Sequence, residues 1–205
     1  MQDLIISTVS QGLLWAIMAL GVFLTFRVLD IADLSVEGTF PLGAAVAATL
    51  IDADHSVWLA MLMAIIAGAI GGTVTALLTT KLKIPALLAG ILTMIGLYSV
   101  NLMVMGKANV PLLRADTVFT MTMDAFGVSQ TVATLIVGIV ATAAVGFVMY
   151  WFFGTVLGTA IRATGCNAQM ARAQGVNTDI MVILGLLISN ALVALSGALV
   201  AQSNG

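Results

Sequence analysis

Residues 158–179 read GTAIRATGCNAQMARAQGVNTD and stand between two apolar runs, 131–153 and 180–201. Each run is long enough to cross a bilayer core of about 30 Å at 1.5 Å per residue. Asn167 is placed to cap a helix, its side-chain oxygen accepting a backbone N–H of the next turn. Residues 168–174 (AQMARAQ) are good helix formers, and Gly175 supplies a left-handed residue that ends such a helix. Asn177 and Thr178 are cap candidates for the run that follows. Asp179 sets a carboxylate in its first turn, where the helix dipole favours negative charge. The spacing therefore predicts a short capped helix carrying Arg172 between two membrane spans. Two readings fit it: a rigid docking surface, or an interfacial helix that fills a loop.

Composition puts the chain in the membrane. Hydrophobic residues make up 61% and charged residues 8%, and mean hydropathy is +1.16. A soluble domain carries about 25% charged residues. A single cysteine, Cys166, excludes an internal disulfide, and one histidine, His55, makes a zinc site a poor reading. No GxxxxGK[ST] loop occurs, so no nucleotide site is expected in the chain, and no bound cofactor or metal. No basic patch with interleaved aromatics is present, which sets nucleic acid aside.

The hydrophobicity pattern predicts an all-α, polytopic transmembrane bundle of about six hydrophobic segments. Residues 4–26 form an uncharged first span; Asp3 replaces the basic region that a signal peptide would need. Residues 57–80 form another, with Gly68 and Gly72 at the spacing that lets helices approach closely in lipid. Pro85 opens a span over 84–105, where its missing N–H does no harm. The fifth segment, 131–153, ends in Tyr150, Trp151 and Phe153, a group suited to the membrane interface. Residues 180–201 complete the set. Within the polar stretch 107–130, TVFTMTMDAF alternates with a period nearer two than 3.6, which suggests a short extended or interfacial piece.

One segment breaks the pattern. Residues 27–37 hold Arg27, Asp30, Asp33 and Glu37, and the apolar run 40–51 that follows is too short to span unaided. Pro41 suits a first helical turn, with Ser35 or Thr39 as its cap. Asp33, Glu37, Gly38 and Pro41 are then candidates for a translocation path, because irregular backbone at membrane depth is tolerated where protein or a wet cavity surrounds it. The other reading makes Asp33 and Glu37 cap carboxylates at the membrane surface.

Residues 158–179, followed by the run ending LSGALVAQ (195–202), resemble the cytoplasmic loop of permease subunits of ATP-binding-cassette importers, in the branch serving branched-chain amino-acid and ribose-type uptake. DIADLSVEGTFPLGAAVAA (30–48) resembles that family's early DLSVG-type segment, and its wording is nearer the amino-acid branch. The resemblance covers most of the chain. It implies a transport subunit rather than an enzyme, with 1–205 as the permease domain and 158–179 as the coupling loop. It also implies that Arg162, Asn167, Met170, Ala171, Arg172 and Gly175 face an ATPase. Permeases of this kind continue with further spans, so the resemblance implies an incomplete version of a larger subunit. The implied solute is small and polar: an amino acid, aromatic ones included, with sugar or nucleoside as alternatives. A secondary transporter using intramembrane carboxylates stays open beside it.

Alternating the spans puts Arg27, Lys81, Lys83, Arg162 and Arg172 on one side, and Lys107 and Arg114 on the other. The positive-inside bias makes the first side cytoplasmic and the N-terminus extracytoplasmic. In a bacterial inner membrane the expected partners are a cytoplasmic ATPase, an extracytoplasmic solute-binding lipoprotein, a second permease copy and membrane lipid. Lys107 and Arg114 are candidates for receiving the binding protein; an ordinary solvated loop is the plainer reading.

Overall fold

A computed structural model describes residues 2–107, 110, 112 and 116–204. Their regular structure is helical throughout. Five helices are long and apolar enough to cross a membrane. They are α1 (Gln2–Phe23, prolonged by a wider π-type turn, Leu24–Val28), α3 (Val57–Thr80), α4 (Ala86–Met105), α6 (Gln130–Gly154) and α9 (Thr178–Asn204). Between them stand α2 (Val36–Asp52), α5 (Val118–Phe126), α7 (Val156–Cys166) and α8 (Ala168–Ala173). The five long helices and α2 account for the six hydrophobic segments expected from the sequence.

The bundle is organised around α9. It packs most extensively on α3 and α2, then on α1, and more lightly on α7; α6 joins through α1, and α4 through α2 and α3. In lipid no hydrophobic drive holds helices together, so close backbone approach and interhelical hydrogen bonds must do it. The sequence supplies both. A Cβ on Gly68 would stand 2.5 Å from the Asn190 carbonyl oxygen, and one on Gly72 would strike the Leu186 carbonyl. Gly43 and Gly197 allow the same intimacy between α2 and α9, at Ala194 and Phe40. The packing role expected of the Gly68–Gly72 pair is thus met against α9.

Hydroxyls complete the seams. Ser189 and Ser196 on α9 donate to the carbonyls of Gly21 and Leu14, each at 2.7 Å, and Thr142 on α6 donates to Leu13 at 2.8 Å. Thr75 on α3 meets Thr93 on α4 at 2.9 Å.

Two sequence expectations are corrected here. Of the extended and interfacial readings of TVFTMTMDAF, the extended one is replaced: Val118–Phe126 forms helix α5, capped by a reciprocal capping box between Thr117 and Thr120 and anchored by buried Phe119. Pro41 lies beyond the first turn of α2, being its sixth residue, and neither Ser35 nor Thr39 caps that helix through its side chain.

Candidate functional site

The chain re-enters the bundle after α1. Asp30 takes a left-handed conformation, φ 55°, which its short polar side chain tolerates better than most. The irregular stretch to Ser35 then runs beside α9: Leu29 packs where Gly185 leaves room, and Asn190 faces Asp33. At 1.5 Å per residue, Asn190 stands about 18 Å along α9 from Thr178, so α2 begins well inside the membrane rather than at its surface.

A closed polar cluster makes that start possible. Asp33 is fully buried. Its Oδ1 accepts the Ser35 backbone N–H at 2.9 Å and the Ser35 hydroxyl at 2.6 Å, and its Oδ2 accepts the Asn190 amide at 2.8 Å. Asn190 Oδ1 accepts from Thr39 at 2.7 Å, while its amide also donates to the Leu186 carbonyl at 3.0 Å. Ser35 has one hydroxyl proton. Its contact of 3.2 Å to Asn190 therefore yields to the shorter one with Asp33. The carboxylate reading as a surface cap is replaced: Asp33 orders the turn from within the bundle.

Glu37, Gly38 and Pro41 lie differently. They line a cavity of about 370 Å³ between α2 and α4, closed on the other side by Met94, Ile95, Tyr98 and Asn101. Glu37 and Pro41 are exposed to it, and Asn101 donates to the Gly38 carbonyl at 3.3 Å. Of the four path candidates, three share a cavity. Asp33 does not line it.

At one end of the bundle the coupling stretch folds as two helices. Thr155 caps α7, accepting the Gly158 N–H at 3.3 Å, and Gly165 lets α7 press against the Val28 carbonyl. Asn167 caps α8 through the Met170 N–H at 2.9 Å, Gly175 has φ 86°, and Asn177 accepts the Ile180 N–H at 3.3 Å. These three roles are as the spacing predicts. The first helix, α7, was not expected from the sequence.

The remaining coupling candidates divide. Met170 is 59% exposed, but Ala171 is 3% exposed and packs inward, so it cannot present itself to a partner groove. Arg172 donates to Thr178 at 2.6 Å and approaches Asp179 at 3.4 Å, fastening α8 to α9. Arg162 donates to the Phe153 carbonyl at 2.8 Å and closes the end of α6.

Lys83 lies 3.9 Å from Asp179, at the same end as α7 and α8, whereas Lys107 pairs with Asp52 at 3.1 Å at the other end. Arg114, the second residue expected to meet a binding protein, lies outside the described residues.

The family of branched-chain amino acid transport systems, permease component, matches residues 4–205. This chain belongs to that family. Its relatives include a tyrosine transport system permease protein of Clostridioides difficile, 39% identical over 97% of this chain and 64% of that protein. An uncharacterized protein of Rickettsia prowazekii, RP368, is 34% identical over 99% of the chain and 69% of its own length. The autoinducer 2 import system permease protein LsrC of Salmonella paratyphi B is 30% identical over 98% and 56%. The chain thus spans between 56% and 69% of the length of these three relatives. No solved structure matches. Family membership and five long apolar helices make the chain a multi-pass membrane protein of this family.

Sequence reasoning passed over Asn190, Asn101 and Tyr98. Asparagines inside LISNALVAL and LYSVNLMVM carry a readable signal, since uncompensated amides are expensive in hydrocarbon and mark helix contacts or polar cavities.

Proposed function

We propose that this chain is the membrane-spanning part of a permease subunit in a binding-protein-dependent ATP-driven importer, moving an amino acid, aromatic ones included, inward by alternating access. The observation that carries the reading is the family match over residues 4–205. The tyrosine-system relative at 39% identity supports the amino-acid class over the autoinducer-system relative at 30%.

The loop 158–179 faces the cytoplasm and α8 meets the ATPase. Exposed Met170 is an adaptable apolar contact, while Asn167 and Gly175 hold the helix stiff enough to pass on a displacement. The N-terminus lies outside, a second permease copy completes the assembly, and the Lys107 end receives the solute-binding protein. The test is ATP-dependent uptake of L-tyrosine into proteoliposomes holding the full-length permease, its ATPase and its binding protein. Accumulation only with internal ATP and binding protein is the expected result. Uptake driven instead by an ion gradient, without the ATPase, sinks the reading.

A further inference from the structure

Helix α4 packs on α2 and α3 and leaves its outer face open. Ile95, Tyr98, Ser99 and Leu102 follow one another on that face at helical spacing, and all four are exposed. Glu37 and Pro41 of α2, exposed as well, border the same stripe across the apolar cavity they share with Ile95 and Tyr98.

Depth makes this stripe unusual. Gly38 lies against Met94 and Leu97, which stand about 12 and 16 Å along α4 from Ala86. Leu97 is also about 12 Å from Met105 at the other end, so Glu37 reaches the surface of the bundle near mid-membrane. An ionisable side chain is expensive there unless it faces protein or water. Among the described residues no ion pair takes Glu37. The described side-chain hydrogen bonds of α4 belong to Thr93 and Asn101, not to Tyr98 or Ser99. Hydroxyls elsewhere behave otherwise: Thr73 and Thr79 of α3 turn back onto carbonyls of their own helix, at 2.7 and 2.9 Å. One face thus carries an acceptor and two donors without partners at a depth where lipid supplies none.

We infer that this face is the seam to a second copy of the chain, in which Glu37 of each protomer accepts the hydroxyl of the partner's Tyr98. The inference rests on the permease reading and deepens it, since that reading requires a second copy and names no face for it. A two-fold interface is isologous, so a patch holding both donor and acceptor satisfies itself twice over. The rest of the stripe, Pro41, Ile95 and Leu102, is apolar, which suits helix packing better than the wall of a water-filled path.

The test uses the full-length permease in native membranes, freed of other cysteines and carrying Ile95→Cys, Ser99→Cys or Leu102→Cys in turn. With copper phenanthroline, at least one of the three should give about tenfold more covalent dimer than Val148→Cys, which is exposed on α6. Linking to a different protein overturns the second copy. Absence of linking at all three overturns the proposal. Labelling by a water-soluble methanethiosulfonate then identifies an aqueous wall; no labelling identifies lipid or another span of the same subunit. A second measurement follows dimerisation by energy transfer on dilution in liposomes. Tyr98→Phe should weaken it about tenfold, and less than about twofold when Glu37→Ala is already present. Equal weakening in both backgrounds shows that the two groups do not meet, and the pairing is wrong. Linking in a complex without ATP-driven uptake of any solute supports the seam and removes the permease reading; uptake without linking does the reverse.

Discussion

Replacing Asn190 by Leu tests whether the buried cluster holds the re-entrant start of α2 in place. Leucine is of similar size, so the cavity left behind is small and the loss is chiefly polar. The two hydroxyls beside Asn190 are not left stranded. The Thr39 hydroxyl already lies 3.4 Å from the Val36 carbonyl, and the Ser35 proton stays with Asp33. Asp33 Oδ2 is, because its described donor is the Asn190 amide and the carboxylate is fully buried. Lost interhelical hydrogen bonds in membranes average about 0.6 kcal/mol each. A buried acceptor left unsatisfied adds about 1–3 kcal/mol, and more when charged. The expected destabilisation is therefore about 2–4 kcal/mol. It should be read from unfolding in mixed micelles, followed by helical circular dichroism. Asp33→Asn combined with Asn190→Leu should recover part of the loss, since the neutral amide costs less to leave unpaired. A loss below about 0.5 kcal/mol for Asn190→Leu, or no recovery in the double variant, would refute the claim that this cluster organises the break.

Glycine substitutions should separate by position. Gly68→Val drives its side chain into α9 and should cost more than about 2 kcal/mol in the same unfolding assay, whereas Gly96→Ala, with open space around its Cβ, should be neutral or stabilise by up to about 1 kcal/mol. At the coupling loop, Met170→Glu should leave the permease folded and weaken ATPase co-purification, while Ala171→Glu should lower the yield of folded protein itself, because Ala171 is buried. For topology, His55→Cys in a Cys166→Ser background should react with an impermeant thiol reagent in intact cells and Lys81→Cys should not; the reverse pattern inverts the orientation.

The spans were legible because long apolar runs have one main physical outcome in this composition. The caps at Asn167 and Gly175 were legible because each solves a local hydrogen-bond or dihedral problem. What escaped depended on partners distant in sequence. Asp33 could not be told from a surface cap until Asn190, 157 residues on, was seen to donate to it. Helix α7 was not read from the sequence, and its Gly158 and Gly165 serve close approach to Phe152 and Val28, partners that no local pattern announces. The alternation in TVFTMTMDAF misled because threonine methyls pack as readily as its hydroxyls bond, so a period-two polarity count carried little information there. Ala171 was expected outward from the resemblance of the whole loop, and such a resemblance does not report which face of a helix a residue occupies.

The position of α9 has a consequence for how the protein is made. Membrane helices enter the bilayer in order of synthesis, and α9 leaves the ribosome after all the helices it joins. Until it arrives, the Gly21 and Leu14 carbonyls lack the serine donors they later receive. Asp33 likewise waits for its amide, and the glycine-lined groove of α3 faces lipid or chaperone. Nascent α1–α3 thus lacks its seams to α9, and the Asp33 carboxylate keeps only its contacts to Ser35 until residue 190 arrives. Arrival of residues 189–196 latches three helices at once, which makes assembly a late, concerted event rather than a progressive zippering.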